Sequence, residues 1–403
     1  MNNASIENKW GDNFLQPMCL KTDPLAEKII SDIIKEKDFT ALRTVFTSLS
    51  KNHDEIINSE LPQSVIDYFN AETSLPTWTD TNKIELAQKV YARYGPQIAL
   101  LLNFKALPLC YACKNGAKVL ASTGRLTGSG KDVSKTMRRL FETSQMVMNV
   151  MSPGGFSPKG DGIVTVKKVR LYHAAIRFYL MNPQPGQALW DVAHYGEPIN
   201  QEEMAGTLMA FSALVLNGLE QLGAELTEEE KDAYIHCWNI VGHFIGLDPQ
   251  LYPKNFTEGW DLGIGIIQRN HEACDDGKLL TKSLLEFSET FFCKSFIDKI
   301  LFGNLPHYLL AYFVKNVAAE INVNILAEID ADKKLSYFSK LKGKIFIFFM
   351  RKATEAEKHN FFIRKMVSVY GMRFLKGMIA QYLHTYQTPF YIPASLKESW
   401  KMN

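Results

Sequence analysis

Arg170, His173 and Arg177 stand three and four apart in VRLYHAAIR, so on a helix they line one face over two turns. A histidine between two arginines resists protonation, because both neighbours disfavour its charged form. A neutral imidazole is what a metal wants, and the two arginines want anions nearby. Haem b meets both demands. Its iron takes a neutral histidine as axial ligand, and its two propionates suit flanking arginines. A core histidine with two arginines in buried ion pairs fits the same spacing, so these residues alone leave both readings open. The small pair Ala174 and Ala175 beside His173 lets something bulky approach that helix.

A second stretch, Met137 to Met151, concentrates polar residues in apolar surroundings. As a helix it puts Arg139, Glu142, Thr143, Met146 and Val150 on one face, with Leu140, Phe141, Val147, Met148 and Met151 beside them. A helix apolar almost all round is a buried one, so its charged residues need partners there. Other sets are weaker. His236 and His243 are seven apart on one helix, roughly 10 Å along its axis, too far for one ion without further ligands. Asp191 and His194 form a lone D-x-x-H, not the pair of Glu-x-x-His elements that a di-iron bundle needs. Cys110 and Cys113 form a CxxC with no second one, and LPLCYACKNGAKVL reads as a helix with two small residues on one face. The sequence has no G-x-S-x-G elbow, P-loop or glycine-rich dinucleotide fingerprint.

The elements that must position these residues are helical. Asp23-Pro24 starts a helix with proline at its first position, and IISDII follows with three–four spacing. Thr227-Glu228-Glu229-Glu230 is a capping box for a helix running to about Gly246, with Pro249 beyond that glycine stop. Strict alternation is confined to short pieces such as Gly162 to Val166. Loops are expected at SPGGFSPKG (152–160) and NPQPG (182–186). The expected fold is all-α, a single large multi-helix domain. Residues 1–80 form an N-terminal helical layer, 81–260 the core, and 261–403 a C-terminal helical layer.

Composition narrows the classes. Lys and Arg number 45 against 43 Asp and Glu, a formal charge of +2, and 46% of the 403 residues are hydrophobic. That excludes a disordered chain, and the near-neutral balance argues against a general nucleic-acid binder. Six cysteines make no disulfide framework. The N-terminus lacks a basic stretch followed by an apolar run, and no stretch approaches the roughly 18–20 apolar residues of a spanning helix. The expectation is a cytoplasmic protein with reduced thiols. The 25 Phe and 14 Met suit a soft interior around a large apolar ligand, and equally a large core. Inside the neutral total, Lys333 to Lys352 holds seven cations and no acid, with an aromatic cluster at Ile345 to Phe349. This is either a peripheral membrane contact or a helical hairpin with a solvated basic side and a buried aromatic side.

Several runs together carry a family resemblance: LPLCYACKNGAKVLASTGRL, then Arg139-x-x-x-Thr143, then Val169-Arg170-x-x-His173-Ala-Ala-Ile-Arg177. Gly196-Glu-Pro-Ile-Asn200 and Gly206-Thr207-Leu-Met-Ala-Phe211-Ser extend it. From about residue 80 to about residue 260 the chain resembles the catalytic domains of the ER-bound oxygenase mpaB and rubber oxygenase (latex clearing protein) family. The resemblance implies an all-helical, globin-like core holding haem b without covalent attachment. It implies His173 as the proximal iron ligand, with Arg139 and Thr143 near the haem on the opposing helix. Arg170 and Arg177 would hold propionates or the helix that presents His173, and Thr207 would be a further pocket residue. Characterised members cleave carbon–carbon double bonds of isoprenoid chains with O2. Two positions depart from the rubber-cleaving pattern. Glu142 stands where those members carry a lysine, and Thr123 or Arg125 falls where they carry a catalytic glutamate. The expected function is therefore a haem b-dependent oxygenase acting with O2 on an apolar, unsaturated lipid or isoprenoid, with rubber itself not expected as substrate. The alternative is a non-catalytic haem- or lipid-binding helical protein.

Overall fold

The computed structural model describes residues 9–34, 62–71, 73–122, 134–158, 160–183, 188–293 and 295–359. Among them the regular structure is helical, apart from an isolated antiparallel bridge between Cys113 and His271. The fold is all-α, as the periodicity required. Local chemistry explains the helix ends. The Glu228–Ile245 helix opens on both arms of its capping box: the Glu230 N–H donates to the Thr227 hydroxyl at 3.1 Å, and the Thr227 N–H donates to the Glu230 carboxylate at 3.0 Å. It closes on Gly246 at φ +88°, where glycine escapes the penalty a Cβ would bring. A Cβ there would also stand 2.5 Å from the Asp23 carboxylate and 2.7 Å from Arg170. Asp23 begins the helix over 24–34, its carboxylate accepting from the Ala26 N–H at 3.5 Å.

Gly162 to Val166 is not a strand. It lies in the first turns of the Asp161–Met181 helix, where Gly162 to Lys168 are buried without interruption. A helix end enclosed on all sides has no polar face, so the apparent alternation carried no periodicity to read.

Packing places this helix between two layers. On one side it runs along Ser134–Met151, while Glu228–Ile245 runs along Thr81–Leu101. Gln201–Phe211 crosses Phe256–Asn270 at Gly206, where a Cβ would meet Ile266 at 2.9 Å. The expected boundary at residue 260 thus falls inside a helix that packs on the core. On the other side, Ala26, Ile30, Ile33 and Val65 of the N-terminal helices pack with Leu171, Ala174 and Ala175. The small pair beside His173 therefore admits neighbouring helices rather than a ligand.

One charge sits in the centre of the core. Thr81–Leu101 runs into a single π-helical turn, Leu102–Ala106, that carries Lys105 fully buried. Its ammonium donates to Asn217 Oδ1 at 2.8 Å and to Gln221 Oε1, the Phe313 carbonyl and Asn316 Oδ1 at 3.0 Å each. One side chain thereby ties the π turn to the helices Ala213–Gln221 and Leu305–Glu320. Burial pulls the ammonium down to about 7, while the four oxygens favour its charged form. Among the described residues no helix is long and apolar enough to cross a membrane.

Candidate active site

The two polar stretches face a common cavity. Asp161–Met181 contributes Thr165, Val169, Tyr172, His173 and Ile176, and Ser134–Met151 contributes Leu140, Glu142, Thr143 and Met146. Leu107–Ala112, Lys114–Ser122, Gln201–Phe211, Ala213–Gln221, Glu228–Ile245 and Phe256–Asn270 add further walls, mostly apolar, with Val119, Leu208, Phe211 and Ile266 among them. The cavity has a volume of about 240 Å³. An apolar cavity of about 150 Å³ already admits a benzene ring. A Cβ on Gly116, in this wall, would meet nothing within 4 Å. The structure therefore brings Glu142, Thr143, His173 and Thr207 to one space. Glu142 is buried, His173 and Thr143 are half-buried, and Thr207 is exposed at the rim. Arg139 lies on the Ser134–Met151 helix, but its side chain is outside the described residues, as are Thr123 and Arg125.

Arg170 and Arg177 do not line this cavity. Arg170 grips Asp23 with both prongs, Nε to Oδ2 at 2.6 Å and Nη2 to Oδ1 at 2.8 Å. Arg177, almost fully buried, sets Nε 2.6 Å from Glu27 Oε1 and donates from Nη1 to the Ile199 carbonyl at 2.9 Å. Their charges are met by two acids at the start of the 24–34 helix, so a propionate would have to displace an existing carboxylate. Both arginines tie the helix that carries His173 to the 24–34 helix. Arg177 also holds a strained wall: Ile199 lines the cavity at φ +55°, a costly conformation for a β-branched residue.

Glu203 is the wall residue that sequence reasoning missed. It stands beside Glu202 in the first turn of Gln201–Phe211, where two acids read as ordinary helix-start residues. The two differ completely. Glu202 accepts from Arg269 Nε at 2.9 Å and Asn270 Nδ2 at 2.8 Å. Glu203 lines the cavity, and its Oε1 is buried without a hydrogen-bond partner. Burial pushes its carboxyl up to about 8, against the Ile199 and Asn200 backbone N–H groups and the Arg177 charge, which pull it down. It therefore carries a proton at neutral pH. Thr207 spends its hydroxyl one turn on, donating to the Glu203 carbonyl at 2.9 Å.

The shift has a thermodynamic consequence. Between the ordinary value of 4.5 and about 8 the folded protein binds a proton that the unfolded chain has released. Stability attributable to Glu203 falls as pH rises through that window. Glu203→Gln should flatten this part of the pH profile. Urea midpoints of both proteins at about pH 5 and about pH 9 would show it. Parallel profiles would mean the carboxyl titrates normally.

The other sequence candidates resolve into structure. His236 and His243 clasp Trp78, with ring centroids 5.5 and 6.4 Å away, and His236 Nε2 accepts from the Asp80 N–H at 3.0 Å. Asp191 caps the Val192–Tyr195 turn through the His194 N–H. Cys113 caps the Leu107–Ala112 helix, and both Cys110 and Cys113 line the cavity. Burial pushes the Cys110 thiol up to about 12 and Cys113 well above its usual value, so neither is a thiolate nucleophile. Among the described residues no group of three or more His, Cys, Asp or Glu has the geometry to hold a bare metal ion. A metal at His173 would have to bring its other ligands with it, as haem iron does.

Comparison with known proteins fits this arrangement. The fold is similar to the structure of latex clearing protein in its closed state, with a TM-score of 0.65 over 95% of this chain and 90% of that one, at 16% identity. The sequence is 21% identical over 266 residues to the rubber oxygenase of Streptomyces sp. (strain K30), a match spanning 65% of this chain and 62% of that protein's length. Residues 93–326, more than half of the chain and all of the cavity walls, match the model of the ER-bound oxygenase mpaB/B′/rubber oxygenase catalytic domain, and the chain belongs to that family.

Proposed function

We propose that the protein is a haem b-dependent oxygenase that acts with O2 on an apolar, unsaturated lipid or isoprenoid in the cavity beside His173. The observation that carries this reading is His173 in the wall of a mostly apolar cavity, with Glu142 and Thr143 among the other lining residues, in a chain that belongs to an oxygenase family. The residues fit the group. A single imidazole suffices when a macrocycle supplies the equatorial ligands, and the apolar walls suit a flat apolar plate. Bound haem supplies the dioxygen and redox chemistry.

The chain's own residues then divide the remaining work. Arg170 and Arg177 fix the helix presenting His173 by pairing with Asp23 and Glu27. Met146, Met204 and Phe211 give an adaptable apolar wall for an alkene and keep water out. Protonated Glu203 offers a hydrogen-bond donor to a polar atom in the cavity. Glu142 supplies an acid where rubber-cleaving relatives supply an amine, which favours a substrate other than rubber.

Oxygen uptake by the haem-loaded protein with a squalene-like polyene tests turnover. Consumption of O2 with appearance of carbonyl cleavage products, both lost in His173→Ala, is the expected result. Haem binding without O2 consumption on any unsaturated lipid would leave a non-catalytic haem or lipid carrier.

A further inference from the structure

The Tyr337–His359 helix carries two apolar faces on opposite sides. One faces inward. Gly343, Ile347 and Thr354 are buried against the rest of the molecule, and the helix packs on Leu305–Glu320. Gly343 permits that approach, since a Cβ there would stand 2.2 Å from the Tyr308 ring. At about 100° per residue, Phe338, Leu341, Ile345, Phe348 and Phe349 fall on the side away from Gly343 and Ile347. They are 71, 41, 47, 55 and 65% exposed respectively. The aromatic cluster at Ile345 to Phe349 is therefore only partly the buried side of a hairpin. Its larger share faces outward.

Cations border this outer stripe on both flanks. Lys342 lies on one side, Lys340, Lys344 and Arg351 on the other, and all are exposed. Lys342 also donates to the Ile300 carbonyl at 2.7 Å, which draws the Phe296–Phe302 helix alongside. That helix adds Ile297 and Ile300, 67 and 57% exposed. The sequence from Lys333 to Lys352 holds seven cations and no acid, and Lys352 pairs with Glu355 one turn on at 2.7 Å.

We infer that this face docks on an anionic lipid bilayer, the aromatic and aliphatic stripe entering the headgroup boundary and the flanking cations meeting lipid phosphates and carboxylates. Large apolar side chains exposed along three turns mark a surface that is covered in use. An apolar stripe bordered by lysines is the pattern of a helix lying in a membrane interface. A second copy of the same face is disfavoured, because pairing would set Lys340, Lys342, Lys344 and Arg351 against their own copies. A helix lying on the bilayer would also bring the protein to the phase in which apolar substrates dissolve.

Co-sedimentation with phosphatidylcholine–phosphatidylserine vesicles, against pure phosphatidylcholine, tests the inference. The full-length protein should bind the anionic vesicles at about 0.1 M salt and bind less at about 0.5 M. Phe338→Ser with Phe349→Ser, both exposed, should weaken partitioning by roughly tenfold or more. Lys340→Ala with Lys344→Ala should weaken it by roughly fivefold for each cation removed. Equal partitioning onto both vesicle types, or binding that survives both pairs of substitutions, would overturn it. So would a dimer in light scattering that Phe338→Ser with Phe349→Ser dissolves, in a protein that does not bind vesicles.

Discussion

Lys105→Met should lower the stability of the protein by about 3 kcal/mol, measured by urea denaturation at neutral pH. Methionine matches the length of lysine, so little cavity is expected, and the loss comes from the acceptors left behind. Asn217, Gln221, Asn316 and the Phe313 carbonyl converge on one fully buried ammonium. Each acceptor stranded in a dry core costs about 1–3 kcal/mol. Two effects reduce the sum. Asn316 Nδ2 still donates to Asn217 Oδ1 at 2.5 Å, and removing the ammonium relieves its own desolvation. A change below about 0.5 kcal/mol would show that water or local rearrangement satisfies the oxygens without Lys105.

Asp23→Ala should cost a similar amount, about 3–4 kcal/mol, and for a reason closer to the site. Asp23 is 3% exposed and accepts both prongs of Arg170, whose side chain is 13% exposed. Removing the acid takes the two-pronged partner from a partly buried guanidinium on the helix that carries His173 and deletes the cap of the 24–34 helix as well. Surface pairs set the contrast. Lys28 and Asp32 form an exposed i,i+4 pair, and Lys28→Ala should change stability by less than about 0.5 kcal/mol. A double-mutant cycle with Arg170→Met separates pairing from capping. The coupling energy should exceed about 1.5 kcal/mol, and coupling near zero would mean that the two side chains do not support one another.

Much of this was legible in the sequence wherever the signal was local. Thr227 and Glu230, three apart, dictated a helix start, and Gly246 with Pro249 beyond it dictated the stop. The spacing of Glu142, Thr143 and Met146 placed them on one face, and that face does line the cavity. What was not legible depended on who stands opposite. Helical spacing showed that Arg170 and Arg177 share a face with His173. It could not show that Asp23 and Glu27, about one hundred and fifty residues earlier, already occupy them. Lys105 is the one charge in the apolar stretch Ile98 to Leu109, and nothing local reveals the oxygens that offset its burial, because they come from two distant helices. Glu203 hid behind its neighbour. Two glutamates in a first turn look alike in sequence, and only Arg269 and Asn270 tell them apart.

The central claim is that His173 presents its imidazole to an iron in this cavity, and the visible spectrum of the haem-reconstituted protein tests it most directly. Wild type and His173→Ala are compared at equal concentration, with circular dichroism confirming that both are folded. The account predicts a Soret band in the wild type that is lost or shifted in His173→Ala. A wild type that stays colourless after reconstitution, or a Soret band that His173→Ala leaves unchanged, would contradict it.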